Sequence, residues 1–153
     1  MLLRALAFVV GFVAMEAIAW AAHRFLMHGP LWVLHRSHHD PQGGGPQLND
    51  LFGLLFASVA IALFAVGAQM QAPGLWWAGA GVTAYGAVYA FVHDGLIHGR
   101  FGVRRMAARG PLRRIVQAHR LHHARITKAG CVGFGLLWPG DVKSMARRLR
   151  QGR

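Results

Sequence analysis

Residues 51 to 92 read LFGLLFASVAIALFAVGAQMQAPGLWWAGAGVTAYGAVYAFV and contain no Asp, Glu, Lys or Arg. The run is about twice the ~20 residues one helix needs to cross a hydrocarbon layer. The segment QMQAPG at 69–74 breaks it with Pro73 and Gly74. The pattern therefore predicts a hairpin of two spanning helices, about 51–69 and 75–92, the second continuing to about 98 at the edge of the layer. Upstream, ALAFVVGFVAMEAIAWAA at 5–22 is a third apolar run, interrupted only by Glu16. AWA at 19–21 also fits a small-x-small signal-peptide cleavage site. Cleavage there would leave His23 almost at a new terminus, so a retained helix over about 5–28 is the better reading.

The rest of the chain is basic. Of 153 residues, 54% are hydrophobic, yet 17 Lys and Arg face only 5 Asp and Glu. Fourteen of the 17 basic residues lie between Arg100 and Arg153, and none lies at the hairpin tip. The positive-inside rule then places the tip outside, and the 29–49 loop and the 99–153 region in the cytoplasm. Arg4 is a minor contrary charge. The uncharged spans argue against a nucleic-acid partner for the +12 charge. Cys131 is the only cysteine, which excludes an intramolecular disulfide and a zinc-ribbon site. CVGFGLLWP at 131–139 is apolar but too short to span. Its sequence fits a short core helix, a segment lying in the interface, or a cover over a site.

All ten histidines fall into four groups: His23 and His28; His35, His38 and His39; His93 and His98; His119, His122 and His123. Each half of the chain carries an H-x4-H pair (HRFLMH, HDGLIH) followed by an H-x2-H-H triplet (HRSHH, HRLHH). The pairs end the first and third spans and the triplets follow, so all ten are expected in one layer at the cytoplasmic membrane surface. Positions i, i+3 and i+4 share a helix face, so each triplet is expected to aim three imidazoles at one centre. Five residues turn an α-helix by about 500° and leave a pair roughly 140° apart. Gly29 and Gly99 follow the second member of each pair, which suggests that the helix ends or unwinds there and lets that ring swing back. Ten imidazoles exceed the needs of one ion and suit two, each with four or five nitrogens. Iron, zinc and copper all accept imidazole.

Four polar residues beside these groups carry open readings. Asp40 and Asp94 adjoin His39 and His93 as carboxylates that orient a ligand N–H, or are solvated acids or arginine partners. Asn49 and Asp50 precede a span and read first as helix caps, with a water-mediated metal contact from Asn49 as the alternative. Glu16 lies within a span, where a carboxylate is costly and usually functional. It either bonds a ligand, touches a polar product, or binds a neighbouring hydroxyl. GAGVTAYGAVYAF at 79–91 supplies small residues for close helix packing, or a slot for a rod-shaped molecule.

The order of histidine groups, together with AHRFLMHG, HRSHHD, NDL, GAGVTAYG, VHDGLIHGR, AHRLHHA and GCVGFG, resembles the bacterial beta-carotene 3-hydroxylases of the membrane fatty acid hydroxylase superfamily. The resemblance runs from about Met15 to Pro139 and includes all ten histidines. It implies an all-α integral membrane protein of the bacterial inner membrane. Residues 1–153 would form one hydroxylase domain, with three spans and a cytoplasmic helical cap. It also implies two non-haem irons held by the ten histidines (zinc replacing iron in some preparations) and no catalytic side chain beyond the metal centre. O2 would be the co-substrate, with electrons from ferredoxin or a similar donor, and carbon 3 of the beta-ionone rings of beta-carotene and related carotenoids would be hydroxylated. Arg100, Arg104, Arg105, Arg109, Arg113 and Arg114 form a basic stretch suited to anionic headgroups and to an acidic donor. A related carotenoid ketolase, fatty acid hydroxylase or desaturase would need similar histidines. A metal transporter would need polar groups along a path through the membrane, which the hairpin spans lack as charges. A haem protein would need one axial histidine per side rather than two triplets.

Overall fold

The computed structural model describes residues 1–40, 45–100, 102–103 and 110–152, and no strand occurs among them. Among the described residues six α-helices follow in order: α1 (Leu2–Ala21), α2 (Trp32–His39), α3 (Asp50–Gln69), α4 (Pro73–Tyr89), α5 (Gly110–His122) and α6 (Val142–Gln151). Two continue as π-helix: α1 through Ala22–Met27 and α4 through Ala90–Ile97. With these extensions, three helices are long and apolar enough to cross a membrane: Leu2–Met27, Asp50–Gln69 and Pro73–Ile97.

The hairpin turn is tighter than the six residues marked by QMQAPG. Helix α3 runs to Gln69, and Gln71 takes the left-handed conformation at φ 49°. The Ala72 N–H donates to the Gly67 carbonyl at 2.8 Å and the Gln71 N–H to that of Ala68 at 3.2 Å. This pair of bonds is a Schellman stop, which satisfies carbonyls the helix end leaves free. Pro73, which needs no N–H partner at the first turn of a helix, then opens α4.

Helix α4 is central and packs along both α1 and α3. Two glycines permit its approach to α1. A Cβ on Gly81 would collide with the Phe8 carbonyl oxygen and the Phe12 nitrogen, and one on Gly11 with the Ala78 carbonyl. This is the small-residue packing that membrane helices use when lipid tails remove the usual hydrophobic drive between helices. Met15, Ala60, Val82 and Tyr85 fill the junction of the three helices. Outward, Leu6, Val9, Val10 and Val13 of α1 and Leu54, Leu55 and Ile61 of α3 are exposed. That apolar exterior calls for lipid rather than water as its solvent.

The polar part of the chain caps one end of the bundle. Helix α5 packs on α6 and on the π extension of α4. Val92, Leu96, Ile97, Val116 and Leu136 form the core between cap and spans. Residues 131–138 are not helical, so the short-helix reading of CVGFGLLWP does not hold. The segment instead crosses the cap as extended chain and bends, and Val132 packs with Ala118 and Met145 beneath α5 and α6. Asp141 caps α6 by accepting from the Lys143 and Ser144 N–H groups at 3.1 and 3.0 Å.

The close α1–α4 approach generates a test. Gly81→Ala is expected to destabilise the protein by about 1–3 kcal/mol, the usual cost of overpacking. Gly74→Ala, at a helix start with nothing within 4 Å of an added Cβ, should stay within about 1 kcal/mol of the parent. Thermal unfolding in one detergent compares them.

Candidate metal centre

In each histidine pair the first ring lies in π-helix and the second caps its end, and this explains their convergence. The His28 N–H donates to the His23 carbonyl at 3.0 Å, and the His98 N–H to the His93 carbonyl at 3.0 Å. These are i to i+5 bonds, so the wider turn stacks residue i+5 above residue i. Of the expectation that the helix ends or unwinds at the second histidine and lets its ring swing back, the ending holds and the swing is corrected. The turn widens, and the second ring stays in register without swinging back. The helix does end at this point: His28 and His98 are the C-cap residues that follow the two extensions.

The structure brings all ten histidines together and sorts them into two groups. One comprises His23, His28, His35, His39 and His122, and the other His38, His98, His119 and His123. Within each, one nitrogen per ring lies within 4.8 Å of all the others. His93 joins the second group, with its Nε2 3.0 Å from His38 Nε2 and its ring 4.7 Å from that of His98. Neither triplet serves a single centre. The i and i+4 rings of α2, His35 and His39, go to the first group, and the i+3 ring, His38, goes to the second. In the other triplet His119 and His123 go to the second group and His122 to the first. At 100° per residue, i and i+4 lie about 40° apart on a helix, while i+3 lies about 60° to the other side of i. Two triplet-bearing helices facing each other therefore exchange their middle rings.

The rear of each ring in the first group is fixed by an acceptor. Nδ1–H of His23 donates to the Phe134 carbonyl (2.9 Å), that of His28 to Lys128 (3.1 Å), and that of His39 to Arg125 (2.9 Å). His122 donates to the Val132 carbonyl (3.1 Å) and His35 to Asn49 Oδ1 (2.6 Å). Carbonyl oxygens only accept, so the proton of each ring sits on Nδ1 and every Nε2 carries a bare lone pair. Those lone pairs face one another: His122 Nε2 lies 3.1 Å from the Nε2 of both His28 and His39. His23 Nε2 and His35 Nε2 are buried with no partner at all. Buried lone pairs pointed at each other without a donor are unfavourable, and a cation at their centre satisfies all of them at once. The donor set therefore fits a metal ion, and nitrogen ligands suit a non-haem transition metal. In the second group, Nδ1 of His38 faces Gln47 Oε1 (3.3 Å) and Nδ1 of His93 faces Asp94 Oδ1 (2.9 Å).

The flanking polar residues separate into clear roles. Asp94 orients His93. Asn49 stands at the start of α3 but makes no capping bond; its side chain holds His35 instead, so its reading as a cap is corrected. Asp50 accepts from the Gln47 N–H at 2.9 Å and pairs with Arg100 at 3.0 Å. Asp40 is exposed, and the Nδ1 it was expected to orient, that of His39, is taken by the Arg125 carbonyl. Glu16 touches no histidine; it accepts from the Tyr85 hydroxyl at 2.8 Å and from backbone amides of the 131–138 segment. Gln47 and the four supporting carbonyls carry no signature in sequence, because carbonyls occur at every position and Gln47 belongs to no spaced motif.

Burial sets the proton chemistry of the cap. It holds the His35 imidazole at a pKa of about 3 against the raising effect of Asn49, and His39 at about 4 against that of Arg125. Desolvation, reinforced by neighbouring imidazoles, likewise lowers His38, His119, His122 and His123. The rings are therefore neutral near pH 7, as ligation requires.

A cavity of about 670 Å³ opens between α1, α3 and α4. His23, His93 and His119 line its inner end, so both histidine groups reach it. It follows α3 from Asn49 to Phe64, roughly 20 Å at the helical rise. Gly86 lies in its wall with nothing within 4 Å of an added Cβ. The small residues of α4 thus serve both readings: Gly79 and Gly81 pack against helices, while Thr83 and Gly86 face the slot.

The sequence profile of the fatty acid hydroxylase family matches residues 8–140. The chain is 46% identical over 159 residues to a beta-carotene hydroxylase of Pseudescherichia vulneris, covering 100% of this chain and 88% of that one. It is 44% identical over 147 residues to a beta-carotene hydroxylase of Pantoea ananas, covering 96% and 83%. Over 137 residues it is 45% identical to beta-carotene 3-hydroxylase 1, chloroplastic, of Arabidopsis thaliana, covering 87% of this chain and 44% of the plant protein. No solved structure gives a significant match.

The lowered imidazole pKa values generate a pH prediction. Below about pH 6.5 the unfolded chain takes up protons on these rings, whereas the folded chain resists until about pH 4 at His39 and about pH 3 at His35. Their contribution to stability is therefore complete above about pH 6.5 and is lost as the pH falls toward 4 and then 3. Thermal unfolding of metal-free protein between pH 8 and pH 4 should show a falling midpoint below pH 6.5. A midpoint independent of pH over that range would contradict neutral burial.

Proposed function

The chain belongs to the fatty acid hydroxylase family, and from that premise we propose that it is a membrane beta-carotene 3-hydroxylase. It would convert beta-carotene through beta-cryptoxanthin to zeaxanthin as a single domain over residues 1–153. The observation that carries this reading is the cavity. It joins both histidine groups to an apolar slot along the spans, which would take one end of a rod-shaped polyene with its terminal ring toward the imidazoles. The names of the bacterial relatives support the carotene substrate, and that of the plant relative supports carbon 3.

The first group, His23, His28, His35, His39 and His122, would hold one iron. His38, His93, His98, His119 and His123 would hold the other. When bound, such a pair supplies activation of O2, which an unactivated ring C–H requires. This chain's side chains position and shield. Neutral imidazoles leave the positive charge of the centre uncompensated, and the Nδ1–H acceptors fix which nitrogen faces inward. Phe52, Phe56 and Tyr89 wall the slot with aromatic surface that excludes water and aligns an apolar substrate. Asn49, Asp50, Asp94 and Arg100 add polar lining beside the histidines, suited to the hydroxyl of a product. The charge bias supports a cytoplasmic position for this layer at the inner membrane, where ferredoxin or a similar acidic donor would reach it. Of the basic stretch expected to meet that donor, Arg104, Arg105 and Arg109 lie outside the described residues. Arg100 is paired with Asp50, and Arg114 donates to the Gly140 carbonyl at 2.9 Å.

Three outcomes test the proposal. Cells that make beta-carotene should, on expressing this chain, accumulate beta-cryptoxanthin and then zeaxanthin, with the new oxygen derived from O2. A 4-keto product, or unchanged carotene beside hydroxylated fatty acids, would reject the assigned reaction. His38→Ala and His122→Ala should each lower metal content and abolish most turnover, the first by depleting the second group and the second by depleting the first. Gly86→Leu should keep its metal but lose about tenfold or more in kcat/KM, as expected when a side chain fills a substrate slot.

A further inference from the structure

We infer that Glu16 is a positioning residue that clamps the 131–138 segment and thereby fixes two ligands of the first histidine group; this rests on that group holding a metal. Glu16 lies in the middle of a span, where an idle carboxylate would be costly. Its Oε1 accepts from the Leu136 and Trp138 N–H groups, both at 3.0 Å. Its Oε2 accepts from Leu137 N–H at 3.2 Å and from the Tyr85 hydroxyl at 2.8 Å. Three successive amides thus wrap one carboxylate, an anion nest. The segment belongs to no helix or sheet that would otherwise satisfy those amides.

The clamped chain leads directly to the imidazoles. Immediately upstream, the Phe134 carbonyl accepts from His23 and the Val132 carbonyl from His122. The Phe134 ring lies 5.4 Å from the ring of His23 and 5.2 Å from those of His28 and His122. Between clamp and carbonyl, Gly135 leaves no room for a side chain: an added Cβ would lie 2.6 Å from the Trp138 carbonyl oxygen and 3.2 Å from Glu16 Oε1. Glu16 and His23 lie about two turns apart on one continuous helix, so α1 and its π extension carry both a ligand and the anchor of the chain that fixes its tautomer. Only a carboxylate offers acceptors to all four donors. An amide would turn an N–H toward one set of them, and alanine would release every bond.

The test uses the full chain in detergent micelles, with Glu16→Ala, Glu16→Gln and Tyr85→Phe compared with the parent. Cys131, the chain's only cysteine, is half-buried at the head of the segment. With metal removed by chelator, maleimide should label it about tenfold faster in Glu16→Ala, the opening expected from losing at least one charge-assisted hydrogen bond. Glu16→Gln, which preserves shape and guards against misfolding of the alanine variant, should fall between, and Tyr85→Phe should match the parent because all three amides remain held. Cobalt(II) titration followed by its visible absorption should then show two ions bound by the parent. Glu16→Ala should have one of these weakened about tenfold or more, as found when outer-shell partners of a metal site are lost, and the other unchanged. Unchanged labelling in both Glu16 variants, or faster labelling with both cobalt sites intact, would overturn the inference. A parent chain that takes up no cobalt would instead reject the metal reading of the histidine groups, while the labelling result would still report on the clamp.

Discussion

The structure depends on imidazole lone pairs that face one another. A neutral ring has one N–H and one bare nitrogen, and in the first group every N–H is directed outward to an oxygen of the protein. The inward nitrogens then repel unless a cation lies among them. Secondary structure around the cap serves this constraint: two helices deliver the triplets, two π turns deliver the pairs, and an irregular strand of chain supplies carbonyls behind the rings.

The π turns are the least expected of these devices and do the most to align the site. An α-helix cannot direct residues five apart to one point, and a sharp break after the first histidine would cost the span its hydrogen bonds inside lipid. Widening the turn preserves a backbone bond for each histidine of the pair and changes only which residues share a face. The same adjustment at both pairs, with the exchanged middle rings of α2 and α5, gives the two groups matching compositions. Each receives a pair, two rings from one triplet and one from the other. Neither triplet can leave its place without disturbing both groups.

A chain with 5 acidic residues spends them sparingly. Asp94 orients a ring, Asp50 ties the start of α3 to Arg100 in the lining of the cavity, Asp141 caps α6, and Glu16 clamps the segment over the site. Asp40 is exposed, and among the described residues its side chain makes no hydrogen bond. Confining negative charge to these points leaves the rest of the cap basic, which suits an anionic lipid surface.

The spans were legible in the sequence because lipid imposes a rule on composition: about twenty residues without charge, broken where Pro73 follows a turn. The ten histidines stood out because random placement would not give two pairs and two triplets in the same order. What spacing could not supply was the partition of those histidines. The idea that each triplet serves one centre treats a helix face as if it met a single point. His38 and His122 sit between two points, and only the way the rings of α2 and α5 meet across the site decides which one each joins. Nor was the π geometry of His23–His28 and His93–His98 readable, since an i to i+5 bond depends on where the helix must aim its end. Asn49 read as a cap and became a support for His35, and Glu16 reached the amides of Leu136, Leu137 and Trp138, more than a hundred residues away. Sequence by itself determined which residues have the chemistry and which segments must lie in lipid, because both follow from side-chain type. The tertiary structure decided how donors and acceptors pair, because a hydrogen bond depends on distance and direction in space, and neither is set by position along the chain.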